Sequence, residues 1–260
     1  MCTLLALIGV VPDTPVVLAA NRDELYDRPA RAPVALGPGL VGGLDLRAGG
    51  SWLCVARDGR FVGVTNQREA PGRGGPAPRS RGELVRALAT CPDRAAMRAR
   101  LAAVDPAAYA SANLLLGDPA GADVAYLRRG GTLETQGLPP GVHVLTNDRL
   151  GSPDFPRANR AAALVTPLVA GGWAALAAAL PAILADHVTP PPAQVPPLPP
   201  GLPLAPELAA ALQALCVHTP SYGTRSSTIA AITAAGTRAL AWADGPPCTA
   251  PFVDAMPLYA

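Results

Sequence analysis

Two apolar runs, residues 3–9 and 14–20, flank Pro12-Asp13-Thr14-Pro15. That four-residue stretch is a turn signal, and the runs read as a hairpin whose two strands are largely buried. Pro12 cuts the apolar run before it could span a bilayer, and no basic segment precedes it as in a secretory leader. The rest of the chain comes in blocks. Ser51 to Arg57 and Phe61 to Asn66 flank Asp58-Gly59, a two-residue hairpin turn. Ser80 and Glu83 have the spacing of a capping box and open a helix to about Thr90, and Asp93 to Val104 reads as a second. Strands are expected at Ser111 to Gly117, Val124 to Arg129 and Val142 to Asn147. Ala158 to Ala170 and Trp173 to Asp186 are helical, then Glu207 to Leu215 is a short helix. Strands at Ser226 to Thr233 and Thr237 to Ala243 complete the order. Strands, helices, strands, helices, strands: segregated runs of this kind favour an α+β layered domain over an alternating parallel sheet.

Three segments resist regular structure on this reading. Arg28 to Gly50 is rich in proline and glycine and is expected to be irregular, and Arg68 to Pro78 is a Gly/Pro/Arg loop. Val188 to Pro206 is a proline-rich excursion. Nothing divides the chain into self-sufficient cores, so residues 1–260 are read as one domain, with at least one of Arg68 to Arg81 and Val188 to Pro206 rimming its site.

Composition removes several functions. The 21 basic residues are all arginine, which excludes a Walker-A loop, Schiff-base chemistry and kinase chemistry. A net charge of +2 gives no surface for nucleic acid. Gly37, Gly39 and Gly42 match GxGxxG, yet no helix pattern follows to face a pyrophosphate. His143, His187 and His218 stand apart with no ligand spacing, so no metal is expected. Cys91-Pro92 reads as a helix stop. The five cysteines are scattered and odd in number, which suits reduced thiols in a cytoplasmic setting. Cys54, Cys91, Cys216 and Cys248 lie in apolar or alanine-rich surroundings that should bury them.

Cys2 is different. Removal of Met1 would leave a cysteine with both a thiol and a free α-amine, whose ordinary pKa values lie near ~8.5 and ~7.7–8.0. One residue would then hold a nucleophile and a base for it. Polar clusters sit at predicted strand ends: Asn21-Arg22-Asp23-Glu24, Thr65-Asn66, Thr146-Asn147 and Tyr222-Gly223-Thr224-Arg225-Ser226. Asn66 and Asn147 could donate to an oxyanion, while Asp23 and Arg225 would set amine and thiol protonation.

These motifs resemble the NRDE family, of the transport and Golgi organisation protein 2 type. The resemblance rests on Met1-Cys2, Ala19-Ala20-Asn21-Arg22-Asp23-Glu24 with Arg28-Pro29, Gly50-Ser51-Trp52-Leu53, Gly63-Val64-Thr65-Asn66, Leu145-Thr146-Asn147 and Tyr222-Gly223-Thr224-Arg225-Ser226. It implies the four-layer αββα fold of N-terminal-nucleophile hydrolases. More distantly the chain is similar to choloylglycine hydrolases and penicillin V acylases. That similarity implies Cys2, Asp23, Asn66, Asn147 and Arg225 as catalytic residues. Asn21, Arg22, Glu24, Thr65, Thr146, Tyr222, Thr224 and Ser226 are expected to bind around them. Ala20 stands where the acylases have arginine, and Arg22, a strand neighbour of Asp23, should face the other way. Two functions follow: hydrolysis of a non-peptide amide by Cys2, or non-catalytic binding and trafficking of haem or an acyl lipid. No resident cofactor is expected; haem enters only as cargo, and the oligomeric state stays open.

Overall fold

The computed structural model describes residues 2–67, 79–195 and 204–260. Cys2–Ile8 (β1) and Val16–Leu25 (β2) form the expected hairpin, with Leu4 opposite Ala20 and Cys2 opposite Arg22. Side chains alternate between the two faces of such a pair. Leu4, Ala6, Ile8, Val16, Leu18 and Ala20 enter one core, while Leu5, Leu7, Val17 and Ala19 enter another. This double burial explains why neither sequence run alternates.

Two antiparallel sheets carry the fold. The first contains Gly141–Leu145 (β10), β1, β2, Tyr222–Thr233 (β11), Gly236–Ala243 (β12) and Val253–Asp254 (β13), in that spatial order. The second runs in chain order: Ala30–Gly37 (β3), Leu40–Asp45 (β4), Leu53–Ala56 (β5), Phe61–Asn66 (β6), Ala112–Asp118 (β7), Gly121–Arg128 (β8) and Thr132–Gly137 (β9). Between the sheets, Leu4, Leu18 and Ile232 meet Val41, Val55, Phe61 and Val124. Arg81–Ala89 (α1) and Arg94–Ala102 (α2) cover the second sheet through Leu84, Leu88, Met97 and Leu101. Pro156–Val165 (α3) and Gly172–Leu184 (α4) cover the first through Ala161, Val165, Leu176, Leu180 and Leu184. Three cores between four layers make an αββα sandwich.

Of the expected capping box, Ser80 accepts from the Glu83 amide, and Asp93 likewise caps α2 by accepting from the Ala96 amide. The short helix is Pro206–Ala211 (α5). The run Pro156–Leu184 is long and apolar enough to cross a membrane. Here a 3-10 segment, Thr166–Gly171, and a positive φ at Gly172 break it into two helices laid on the first sheet.

Arg28 to Gly50 is not irregular. It holds β3 and β4, a hairpin closed by Gly37 and Gly39 at positive φ, so the GxGxxG match is a turn between strands. Pro33 is tolerated because β3 is the sheet's edge and its pairing slips between Arg31 and Val34. The expectations for Arg68 to Pro78 and for residues 196–203 lie outside the described residues.

Candidate active site

The polar strand ends gather where the two sheets open. Cys2, Arg22, Asp23, Glu24, Trp52 and Asn66 line a cavity of about 90 Å³. Ser80 and Arg81 also line it, so the described end of the 68–81 segment rims the site, whereas no described residue of 188–206 does. Cys2 and Arg22 share the face turned to the opposite sheet. Arg22 lies 4.3 Å over the Trp52 ring and 3.4 Å from Asp45, which in turn takes a 2.6 Å bond from Arg28. Ser226, opposite Arg22, is buried on that same face.

Asp23 and Asn21 point the other way, into the helix side. Asp23 is fully buried and accepts from Thr224 Oγ1 at 2.7 Å and from Arg157 Nη1 at 3.3 Å. Tyr222 donates its hydroxyl to the Asp23 carbonyl. Asn21 donates to the Leu184 and Leu215 carbonyls and accepts from Ser227. Arg157 bridges the parts: its Nη2 donates to Asn147 Oδ1 at 2.7 Å and to the Cys2 carbonyl at 3.4 Å. Asn147 then donates to the Asn66 carbonyl at 2.6 Å. Leu145 pairs with Leu4, so the same register carried two residues further sets Asn147 beside Cys2. Thr65 donates to the Thr146 carbonyl, and Asn113 donates to Thr65 and to the same carbonyl, which ties the end of β6 to the end of β10.

Electrostatics here follow burial. Desolvation pushes the Cys2 thiol above its ordinary value against the N-terminal ammonium, with the Asp23 carboxylate adding to the rise and the Asp23 backbone amide and Arg22 opposing it. The expected lowering by arginine is therefore outweighed in the chain that keeps Met1. Desolvation also raises Asp23, against the pull of Arg157 and Thr224.

A family model for Transport and Golgi organisation 2 matches residues 1–241. The chain belongs to that family. The bovine Transport and Golgi organization protein 2 homolog is 30% identical over 85% of this chain and 83% of its own length. The human homolog is 29% identical over the same shares. Among solved structures, a Caenorhabditis elegans N-acylethanolamine-hydrolyzing acid amidase ortholog superposes with a TM-score of 0.53. It is 12% identical, over 90% of this chain and 93% of its own. The mutant C2A conjugated bile acid hydrolase from Clostridium perfringens gives 0.55 at 11% identity, over 100% and 94%. The fold of this Transport and Golgi organisation 2 family member is thus that of the N-terminal-nucleophile hydrolases.

Two expectations need correction. Arg225 does not line the cavity; it is the extra residue of a bulge in β11, between Thr224 opposite Asp23 and Ser226 opposite Arg22. The bulge turns its guanidinium to the Leu25 and Tyr26 carbonyls. The buried Asp23 carboxylate is met instead by Arg157, a residue outside the polar clusters at the predicted strand ends. In the first turn of α3 a buried cation opposes the helix dipole and needs a compensating anion, which Asp23 supplies. The histidines are the second correction. His187 and His218 face each other tilted by 45°, with ring centroids 5.1 Å apart, and Cys248, expected to be buried, is exposed beside them.

Proposed function

We propose that the chain hydrolyses a small-molecule amide with Cys2 as nucleophile once Met1 has been removed, in a reducing cytoplasmic setting. The observation that carries this reading is the position of Cys2. It lies at the start of β1, in a cavity shared with Asn66 and Arg22, backed by Asp23, Arg157 and Asn147. The freed α-amine takes the thiol proton, and Sγ attacks the amide carbon. Asn66, together with the second N–H of Asn147, donates to the oxyanion. The C–N bond breaks, the amine leaves with the proton from the α-ammonium, and a thioester remains on Cys2. Water, deprotonated by the same amine, then releases the acid. Asp23, held by Arg157 and Thr224, supplies the negative charge that steadies the ammonium. Burial, which raises the thiol, makes an adjacent base necessary.

The names of the two structural neighbours, an N-acylethanolamine-hydrolyzing amidase and a conjugated bile acid hydrolase, support an amide substrate.

The test is amine release from an N-acylethanolamine and a conjugated bile acid, by a chain prepared with Cys2 as its first residue. Turnover is expected, with none from Cys2→Ala. Asn66→Ala should lose about 10²–10³ in kcat, as for removal of an oxyanion donor. Binding without amine release by the Cys2-first chain would replace hydrolysis with the carrier reading.

A further inference from the structure

Away from the Cys2 cavity, four metal-ligating side chains from three stretches of the chain converge. His187 follows α4, Cys216 and His218 lie between α5 and β11, and Cys248 sits in the turn between β12 and β13. Their ligand atoms all lie within 4.8 Å of one another. Cys216 Sγ is 3.9 Å from Cys248 Sγ and 3.7 Å from His218 Nε2, and His218 Nε2 is 3.3 Å from Cys248 Sγ. Tetrahedral zinc, with Zn–S about 2.3 Å and Zn–N about 2.0–2.1 Å, sets its ligand atoms roughly 3.3–3.8 Å apart. A disulfide would need its sulfurs at about 2.05 Å, half the distance seen between Cys216 and Cys248.

The fourth ligand is oriented from behind. His187 Nδ1 is 3.0 Å from the Cys216 carbonyl, and a carbonyl can only accept. Nδ1 therefore carries the proton and Nε2 keeps its lone pair. This is the outer hydrogen bond that fixes the tautomer of a metal-bound imidazole.

We propose that His187, Cys216, His218 and Cys248 bind one zinc-class divalent ion through two thiolates and two imidazoles. Soft sulfur and imidazole donors in a tetrahedron select such an ion over magnesium or calcium. Four protein ligands close the coordination sphere, so the ion is structural rather than catalytic. Binding exchanges two thiol protons for the ion.

The site joins the end of α4, the 216–218 segment and the β12–β13 turn. Val217, between two of the ligands, donates its amide to Thr224 Oγ1, which donates to Asp23. The ion thus braces the support of the buried carboxylate two residues away.

The experiment uses the full chain, reduced, stripped with a chelator and titrated anaerobically with cobalt chloride and then zinc chloride. One equivalent of cobalt should give the intense ligand-field and sulfur-to-metal bands of a tetrahedral thiolate complex. Zinc should displace it and raise the melting temperature. Cys248→Ser, at an exposed position that leaves the fold intact, and His187→Ala should each weaken uptake by roughly tenfold or more. Cys91→Ser should leave it unchanged. A pale octahedral cobalt spectrum, unaltered affinity in Cys248→Ser, or a freshly reduced chain that re-forms a Cys216–Cys248 disulfide and takes no metal would each overturn the proposal.

Discussion

Arg157 has no contact with water, and neither has its partner Asp23. A buried pair of this kind contributes little net stability relative to apolar residues of the same shape, because both charges lost their hydration. Breaking it is another matter, since one charge is then left in a low-dielectric interior. Arg157→Met should destabilise the chain by about 3–5 kcal/mol, read as a shift in the urea midpoint at unchanged slope. Asn147 loses its partner at the same time, so the Asn66 carbonyl should be held less firmly and the cavity should distort. A loss below about 1 kcal/mol would mean that Asp23 finds another partner. No sequence pattern marks Arg157: the polar clusters stand at strand ends, whereas it projects from a helix, and its burial joins it to residues far along the chain. Arg225 was legible but misassigned: one inserted residue shifts the parity of β11, and no residue type announces that bulge.

At the level of elements, β4 and the turn after β2 are fastened through Asp45, which takes bonds from Arg28 and lies 3.4 Å from Arg22. Burial raises the Asp45 carboxyl, but the Arg28 bond and the Ala48 amide outweigh it and hold the group below its ordinary value. A carboxyl depressed in the folded chain contributes stability above its unfolded pKa of about 3.9. That contribution disappears as pH falls through the lower folded value. The difference in urea midpoint between wild type and Asp45→Asn should therefore be largest near neutral pH and shrink between about pH 5 and pH 2. A difference independent of pH would remove Asp45 from the acid limb. β3 and β4 hide behind prolines and glycines that signal turns, and their strand character comes from pairing, β3 with β4 and β4 in turn with β5. β9, Thr-Leu-Glu-Thr-Gln-Gly, is polar and mostly exposed on both faces of an edge, so no alternation marks it. The buried strands and the amphipathic helices were legible because each carries its own core face.

For the whole molecule, the αββα layering does two things with one set of contacts. It buries Asp23 on the helix side of the first sheet, and it leaves Cys2 on the inner side where the sheets part. The belt of Thr65, Asn113 and Thr146 holds that opening at a fixed width. A strand order in which β1 lies second from the edge, between β10 and β2, brings Asn147 and Asp23 to either side of Cys2. Neither the sheet order nor the Cys216–Cys248 approach has a local signature, since each joins residues far apart in sequence. The most direct measurement of the central claim is acid-quenched mass spectrometry during turnover of an N-acyl amide, with the adduct mapped to a peptide. Two chains are compared, one beginning at Cys2 and one that keeps Met1. The account predicts an acyl thioester on Cys2 in the first chain and none in the second. An adduct on another residue, equal labelling of both chains, or amine release with no adduct on Cys2 would contradict it.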